Sequence, residues 1–277
     1  MAISGVGVFK MDFTFNDSDK AKYASAKYSL NFIKDGMKIG LGTGSTAAWF
    51  VVLLSDFIKK NDIKVTTVAT SSFTKTLAKA VGVIVVSLDE IECLDLTIDG
   101  ADEFDDHLNL IKGGGGALLQ EKIVASASSE MIVIADTGKY VKKLGKFPLP
   151  IEVVPFGASS TKNIIDNLFI TCGFKDILGT FRQENGQIFV TDEGNNIIDY
   201  KLNEINNVKE LSIKINNITG VIEHGIFTNL CTKVIVGKPS GGIHLFSKQL
   251  KTNKFQAIDL SEMNRLNETI LGIKNEI

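Results

Sequence analysis

Cysteine is scarce in this sequence and widely spaced. The 277 residues contain three cysteines, Cys93, Cys172 and Cys231. They cannot all pair within one chain, and no C-x-x-C motif occurs, which excludes a zinc knuckle and a dithiol redox pair. The spacing therefore predicts free thiols in a reducing compartment.

Long hydrophobic runs and an excess of basic charge are also missing. No run approaches the roughly 18 apolar residues of a membrane span, so we expect no membrane partner and a cytoplasmic location. The net charge is −2, with both signs interspersed, which argues against a nucleic-acid partner. An anionic ligand would need a local positive potential, and this points to a small phosphorylated molecule. Residues 1–17 lack the segments of a secretory signal and are interpreted as an N-terminal extension.

The sequence does contain short β-branched runs that alternate with helical patterns. This alternation predicts an α/β fold with a parallel, Rossmann-like sheet and helices on both faces. In such sheets ligands bind outside the carboxyl ends of the strands. The predicted strands are 37–41, 65–69, 83–87, 94–98 and 131–135. One helix is predicted from Ser18, which is its expected N-cap, and three more cover 47–58, 72–80 and 118–126.

Two prolines, Pro148 and Pro150, interrupt this rhythm and predict a hinge into a second module. We predict a catalytic α/β domain from residues 18–147 and 225–250. A second, smaller α+β domain would comprise 148–224, and 251–277 would form a C-terminal extension.

The loop Gly42-Thr43-Gly44-Ser45-Thr46 joins a predicted strand to a predicted helix. Glycines allow an anion to approach the backbone, and the start of a helix offers free N–H groups and a positive dipole end. The alternative is a tight turn capped by Ser or Thr. The loop is not a P-loop, because no Gly-Lys-Ser/Thr follows, and it lacks the third glycine of a dinucleotide fingerprint.

The loop Asp99-Gly100-Ala101-Asp102-Glu103 follows the predicted strand 94–98. Acidic side chains there are well placed for a ligand, and Gly100 and Ala101 leave room for one. Each Asp alone is as readily a turn residue or a cap. The aspartate pair also makes a metal site conceivable, but the three histidines show no ligand spacing, so we expect no metal.

The run Lys112-Gly113-Gly114-Gly115-Gly116 leads into the helix that carries Glu121. Successive backbone N–H groups can form an anion nest, to which Lys112 adds a full charge. A flexible linker is the alternative for the glycines, and Glu121 alone would only complement the helix dipole. Together, the residues between Asp99 and Glu121 offer a general base, carboxylates for sugar hydroxyls and a phosphate cradle. Carboxylates that converge on one pocket would raise the pKa of at least one of them.

These motifs resemble the ribose-5-phosphate isomerase A family. The resemblance runs from about residue 22 to residue 237 and rests on five segments in the family's order. They are GTGST at 42–46, DGADE at 99–103, IKGGGGALLQEKI at 111–123, IADTGKYVKKLGKFPLPIEVVPF at 134–156 and TDEGNNIIDY at 191–200.

The resemblance implies an aldose-ketose isomerase that interconverts D-ribose 5-phosphate and D-ribulose 5-phosphate through an enediolate. Glu121 matches the catalytic base, Asp99 and Asp102 match the pair that contacts sugar oxygens, and Lys22 matches, less closely, an N-terminal substrate lysine. It implies no metal, no organic cofactor and a homodimer or homotetramer. The positions that match the family's substrate-binding residues, with Lys112 also assigned to catalysis, are Thr43, Gly44, Ser45, Thr46, Gly100, Ala101, Lys112, Gly113, Gly114, Gly115 and Lys139.

The sequence departs from the family pattern at both ends, with an extension of about 18 residues before the first helix and a longer, divergent tail after Gly237. Three other functions were weighed against isomerisation. A coenzyme A transferase can use a glutamate nucleophile. A sugar-phosphate sensor would need a helix-turn-helix partner, and a glucosamine-6-phosphate deaminase-like enzyme would release ammonia.

Overall fold

The computed structural model describes residues 13–175, 177–248 and 251–275. Most of the predicted N-terminal extension, residues 1–12, lies outside these ranges. The described strands are β1 (Lys38–Leu41), β2 (Thr66–Ala69), β3 (Leu94–Asp99), β4 (Glu103–Phe104), β5 (Leu110–Ile111), β6 (Ser128–Asp136), β7 (Leu149–Val153), β8 (Thr180–Phe181), β9 (Gln183–Glu184), β10 (Gln187–Ile188), β11 (Asn196–Tyr200), β12 (Val221–His224), β13 (Ile226–Phe227), β14 (Cys231–Gly237), β15 (Gly242–Ser247) and β16 (Lys251–Phe255). The described helices are α1 (Asp17–Ser29), α2 (Ser45–Asn61), α3 (Ser72–Ala80), α4 (Leu118–Ser126), α5 (Ala158–Thr171), α6 (Val208–Asn216) and α7 (Leu260–Lys274).

The largest sheet has the strand order β16-β15-β14-β6-β3-β1-β2. The strands from β14 to β2 are parallel to their neighbours, as the alternating pattern predicted, whereas β15 and β16 are antiparallel at one edge. The sheet is therefore mostly parallel, and the prediction of its architecture is confirmed with this addition. Hairpin connections explain the exception, because β14, β15 and β16 follow one another with only short loops between them.

Both faces of the large sheet are covered, as the side-chain alternation in β6 shows. Ile132 and Ile134 belong to the hydrophobic cluster that also includes residues of α1, α2 and α7. Met131, Val133 and Ala135 point to the opposite face, where they join a cluster with residues of β4, β5 and α4. Period-two alternation in a strand produces this division. No helix in the described ranges is long and apolar enough to cross a membrane.

A second hydrophobic layer lies among residues 149–226. The strands β12, β7, β11 and β8 form an antiparallel sheet in that order, and α5 and α6 contribute to the same cluster. Lys122 of α4 forms an ion pair with Glu223 of β12, and this contact connects the two layers. The domain boundaries given above stay a prediction.

Two local expectations differ from the structure. Asn16, not Ser18, caps α1: its side chain accepts the N–H of Asp19, whose carboxylate accepts the N–H of Asn16 in return. The predicted strand 83–87 makes only one bridge, between Thr67 and Val85. The predicted C-terminal extension contains β16, which pairs with β15 at the edge of the main sheet, and α7, which packs on α2 and α3.

Candidate active site

The predicted ligand loops meet at the carboxyl edge of the large sheet. β1 lies between β2 and β3, so the chain leaves β1 toward one side for β2 and returns on the other side for β3. Connections that diverge in this way leave a crevice. A cavity of about 230 Å³ lies there, lined by Ser18, Lys22, Thr43, Gly44, Ser45, Thr46, Gly100, Ala101, Asp102, Lys112, Gly113, Gly114, Gly115, Glu121, Asp136 and Lys139. The structure thus brings the predicted site residues together, with Asp99 buried beside Lys112 and not among the lining residues.

Lys112 lies between two carboxylates at the base of this cavity. Its Nζ is 3.0 Å from Oδ2 of Asp99, 3.0 Å from Oε1 of Glu121 and 2.6 Å from the carbonyl oxygen of Gly100. Burial disfavours the ammonium, but the two carboxylates outweigh it and raise the pKa of Lys112. Lys112 therefore stays charged: its Nζ donates hydrogen bonds to Glu121 and to the carbonyl oxygen of Gly100 and forms an ion pair with Asp99. This placement differs from the expected one, in which its charge lay on the phosphate cradle.

Glu121 is in the first turn of α4 and is 4% exposed. Burial raises the pKa of its carboxyl to about 8, with Asp99 and Asp102 also raising the pKa and Lys112 opposing them. Oε1 accepts a hydrogen bond from Lys112, whereas buried Oε2 has no hydrogen-bond partner among the described residues. A carboxylate with one oxygen held and the other free at a cavity wall is suited to accept a proton.

The two predicted aspartates have different surroundings. Oδ1 of Asp99 accepts the N–H groups of Gly100 at 2.7 Å and of Thr43 at 3.1 Å, so Asp99 joins the ends of β1 and β3. Burial raises the pKa of Asp99, against the opposing effect of Lys112. A side chain on Gly42 would collide with this carboxylate, which explains the glycine there. Asp102 instead lines the cavity and accepts the N–H of Gly114 at 2.7 Å.

The cavity is also lined by groups that carry positive charge. α2 begins immediately after Gly44, and no side chain caps it, so the first N–H groups of the helix have no side-chain acceptor, and Ser45 and Thr46 line the cavity. Lys22 and Lys139 line the same cavity, and neither forms an ion pair with any residue in the described ranges. The hydroxyl of Thr43 is turned toward Thr70, Ser71 and Thr74. An uncapped helix start with two free ammonium groups is suited to a phosphate.

Three residues at or beside this site, Ser18, Asp136 and Arg182, were not predicted from the sequence as functional. Asp136 ends β6 and accepts a hydrogen bond from Ser18 at 3.3 Å, and both residues line the cavity. The sequence signal for Asp136 is its position as an acidic residue directly after the predicted strand 131–135. Arg182, from the smaller layer, donates to the carbonyl oxygen of Gly113 at 2.7 Å. Apart from the rarity of arginine in this chain, no feature of the sequence pointed to this residue.

A metal centre has no counterpart in the part of the chain that the structure describes. No group of three or more His, Cys, Asp or Glu side chains is placed there to hold a metal ion. The expectation of a metal-free, cofactor-free enzyme stays a prediction.

A buried carboxylate with a raised pKa, a lysine charge beside it and two further lysines at the same cavity are features expected of an enzyme that moves a proton on an anionic ligand. Comparison with known proteins identifies the reaction more closely. Residues 66–241 match the family model described as ribose 5-phosphate isomerase A (phosphoriboisomerase A). A protein of Ruegeria pomeroyi named ribose-5-phosphate isomerase A is 49% identical over 251 residues, which cover 90% of this chain and 95% of the relative.

Solved structures agree with this match. Ribose 5-phosphate isomerase from Plasmodium falciparum superposes with a TM-score of 0.79 at 36% identity, covering 84% of this chain and 100% of the other. A structure described as D-ribose-5-phosphate isomerase in complex with phospho-erythronic acid has a TM-score of 0.75 at 38% identity, covering 87% of this chain and 100% of the other. The chain therefore belongs to the ribose-5-phosphate isomerase A family.

The enzyme interconverts D-ribose 5-phosphate and D-ribulose 5-phosphate, a reaction of the non-oxidative branch of the pentose phosphate pathway. The predictions of family, fold class and reaction are confirmed.

Proposed function

We propose that Glu121 is the general base of this isomerisation. The observation that carries the proposal is the free Oε2 of Glu121, buried at the wall of the cavity while Oε1 is held by Lys112. In the open-chain aldose, Glu121 removes the proton from C2. The electrons of the C2–H bond form a C1–C2 double bond, and the aldehyde oxygen gains the negative charge. A proton moves from O2 to O1, and Glu121 returns its own proton to C1, which gives the ketose with no net redox change.

Lys112 acts in this proposal at the reacting end of the sugar. Its permanent charge at the cavity base would stabilise the enediolate, whose negative charge develops within a site shielded from water. The substrate phosphate would bind at the other end of the cavity, at the first turn of α2 and the two free lysines, Lys22 and Lys139. The phosphate is assigned away from Lys112 because that ammonium already forms ion pairs with Asp99 and Glu121 and donates a hydrogen bond to the carbonyl oxygen of Gly100.

Asp102 is the aspartate that we assign to ring opening. It lines the cavity with a carboxylate held by one N–H group, whereas the buried carboxylate of Asp99 is committed to Lys112 and to two loop N–H groups. Asp102 would transfer the proton between the anomeric hydroxyl and the ring oxygen. Asp99 would keep Lys112 charged and in place.

The assembly and location remain proposals as well. We propose a homodimer or homotetramer in the cytoplasm, without metal, cofactor, nucleic-acid or membrane partner. The family resemblance and the lack of a basic stripe support this proposal. Light scattering of the purified protein tests the assembly, and an assay in the presence of a chelator tests the proposed independence of metal.

The Glu121→Gln variant tests the role of the base, since glutamine keeps the size of the side chain but cannot accept the proton. We expect kcat to fall by about 10²–10⁴-fold, with little change in the affinity for phospho-erythronic acid. Incorporation of deuterium from D₂O into the product should fall in parallel. The control is Glu130→Gln, because Glu130 pairs with Lys233 on another part of the sheet. Near-normal turnover by Glu121→Gln would refute the assignment.

A further inference from the structure

A side chain of the smaller layer donates hydrogen bonds to the glycine run, residues 113–116, at the cavity wall. Arg182 follows β8, and its guanidinium group forms a two-point ion pair with Asp199 of β11, with Nε–Oδ2 at 2.9 Å and Nη2–Oδ1 at 2.6 Å. The remaining nitrogen, Nη1, donates to the carbonyl oxygen of Gly113 at 2.7 Å and to that of Gly114 at 3.2 Å. One arginine therefore connects Asp199 to two successive peptide groups of the run.

Fixing these carbonyl groups also fixes the direction of the next two N–H groups. In a trans peptide the C=O and N–H bonds point to opposite sides of the chain. A carbonyl of Gly113 that faces Arg182 turns the N–H of Gly114 the other way, where it donates to Asp102 at 2.7 Å. By the same geometry, a carbonyl of Gly114 that faces Arg182 turns the N–H of Gly115 away from the arginine. Gly115 lines the cavity.

Glycine peptides need such a restraint, because without a Cβ each residue of the run has a wide choice of backbone conformations. Gly113 itself is at φ +101°, in the region that favours glycine. The ring of Phe189 lies against Gly116, at the end of the run, and within 5.9 Å of the guanidinium carbon of Arg182. The smaller layer thus contacts both ends of the run.

We propose that Arg182 is a positioning residue for the isomerisation: it orients the Gly113–Gly114 and Gly114–Gly115 peptides so that one N–H holds Asp102 and the next faces the reacting end of the substrate. The inference rests on the proposed arrangement of substrate in the cavity, with the phosphate at α2. Arg182 touches no reacting atom and acts only through the glycine run and Asp102.

The test compares Arg182→Ala and Arg182→Lys with Arg265→Ala. Arg182 and Arg265 are the two arginines of the chain, and Arg265 pairs with Asp56 between α7 and α2. Arg265→Ala therefore removes an arginine–aspartate ion pair, a more exposed one, from another part of the chain. We expect kcat/KM of Arg182→Ala to fall by about 10²-fold, the typical effect of misplaced catalytic groups, and that of Arg265→Ala to remain near the wild-type value. Arg182→Lys should lose about tenfold, because an ammonium cannot span Asp199 and both carbonyls.

Binding and rescue measurements separate positioning from a general loss of structure. We expect Arg182→Ala to bind phospho-erythronic acid more weakly than the wild type and inorganic phosphate equally well, and added guanidinium ion to restore part of its kcat/KM. If Arg182→Ala does not fold, Arg182→Lys decides. Wild-type kcat/KM in Arg182→Lys, or a loss in Arg182→Ala that matches its loss of folded protein and resists guanidinium, would overturn the proposal. The Glu121→Gln variant tests the base independently. If Glu121→Gln were fully active, the assignment of the base would fail, but the effects of the Arg182 variants on binding would be unchanged.

Discussion

Lys112 Nζ and Glu121 Oε1 lie 3.0 Å apart, and both side chains are almost fully buried. Two opposing influences act on the pKa of the Glu121 carboxyl group. Burial disfavours the charged form, and the Lys112 ammonium favours it. Burial prevails, but only far enough to bring the pKa to about 8. A base is most effective when its pKa is near the working pH, and this balance places Glu121 there.

The raised pKa predicts how activity depends on pH. Glu121 can accept the C2 proton only when it is deprotonated, so the active fraction grows as pH rises and levels off above about 8. Below that value kcat/KM should fall about tenfold per pH unit. The measurement is kcat/KM at constant ionic strength from about pH 6 to about pH 9. A flat profile below pH 8 would contradict a protonated carboxyl at this position.

Replacement of Lys112 by methionine should destabilise the protein strongly. It leaves Asp99 and Glu121 buried without their common counterion, and removal of one partner of a buried ion pair typically costs about 3–5 kcal/mol. Equilibrium unfolding in urea measures the effect. Lys139→Met is the control, because Lys139 is only half-buried and unpaired within the described residues, and its change should stay within about 0.5 kcal/mol. Equal stability of the two variants would show that the ion pairs of Lys112 make no net contribution to the free energy of unfolding.

Removal of the ammonium at Lys139 should mainly weaken substrate binding. A hydrogen bond to a charged group contributes about 1.5–3 kcal/mol, so Lys139→Ala should raise KM for ribose 5-phosphate by about tenfold or more, with kcat changed little. The control is Lys142→Ala, since Lys142 is exposed three residues away and does not line the cavity. A large fall in kcat with KM unchanged would mean that Lys139 serves the chemistry and not the phosphate.

The helix α7 should contribute to global stability. Leu266 is 2% exposed in the cluster that α7 shares with α2, whereas Leu271 on the same helix is 38% exposed. Leu266→Ala should lower the free energy of unfolding by about 2–5 kcal/mol, and Leu271→Ala by less than about 1 kcal/mol. Thermal or urea unfolding compares them. Similar, small effects would show that α7 is dispensable for the core.

The sequence predicted the convergence of Asp99, Lys112 and Glu121 because parallel strands deliver their loops to one edge of a sheet. It did not predict that Lys112 would lie between the carboxylates, since a lysine beside a glycine run is equally consistent with an exposed phosphate ligand. Arg182 was missed because it is about seventy residues further along the chain, and only tertiary packing brings it to the glycine run. In the tail, β16 has the polar sequence KTNKF with little alternation, so nothing in its pattern indicated a strand.

The open start of α2 has a consequence for the lifetime of the enzyme. A helix whose first N–H groups lack a capping side chain is incomplete, and in the proposed binding mode the sugar phosphate supplies the missing acceptors. Ligand that binds only the native form shifts the unfolding equilibrium in favour of that form. The concentration of pentose phosphate would then affect both the rate of the reaction and the time for which the folded enzyme resists heat and proteolysis.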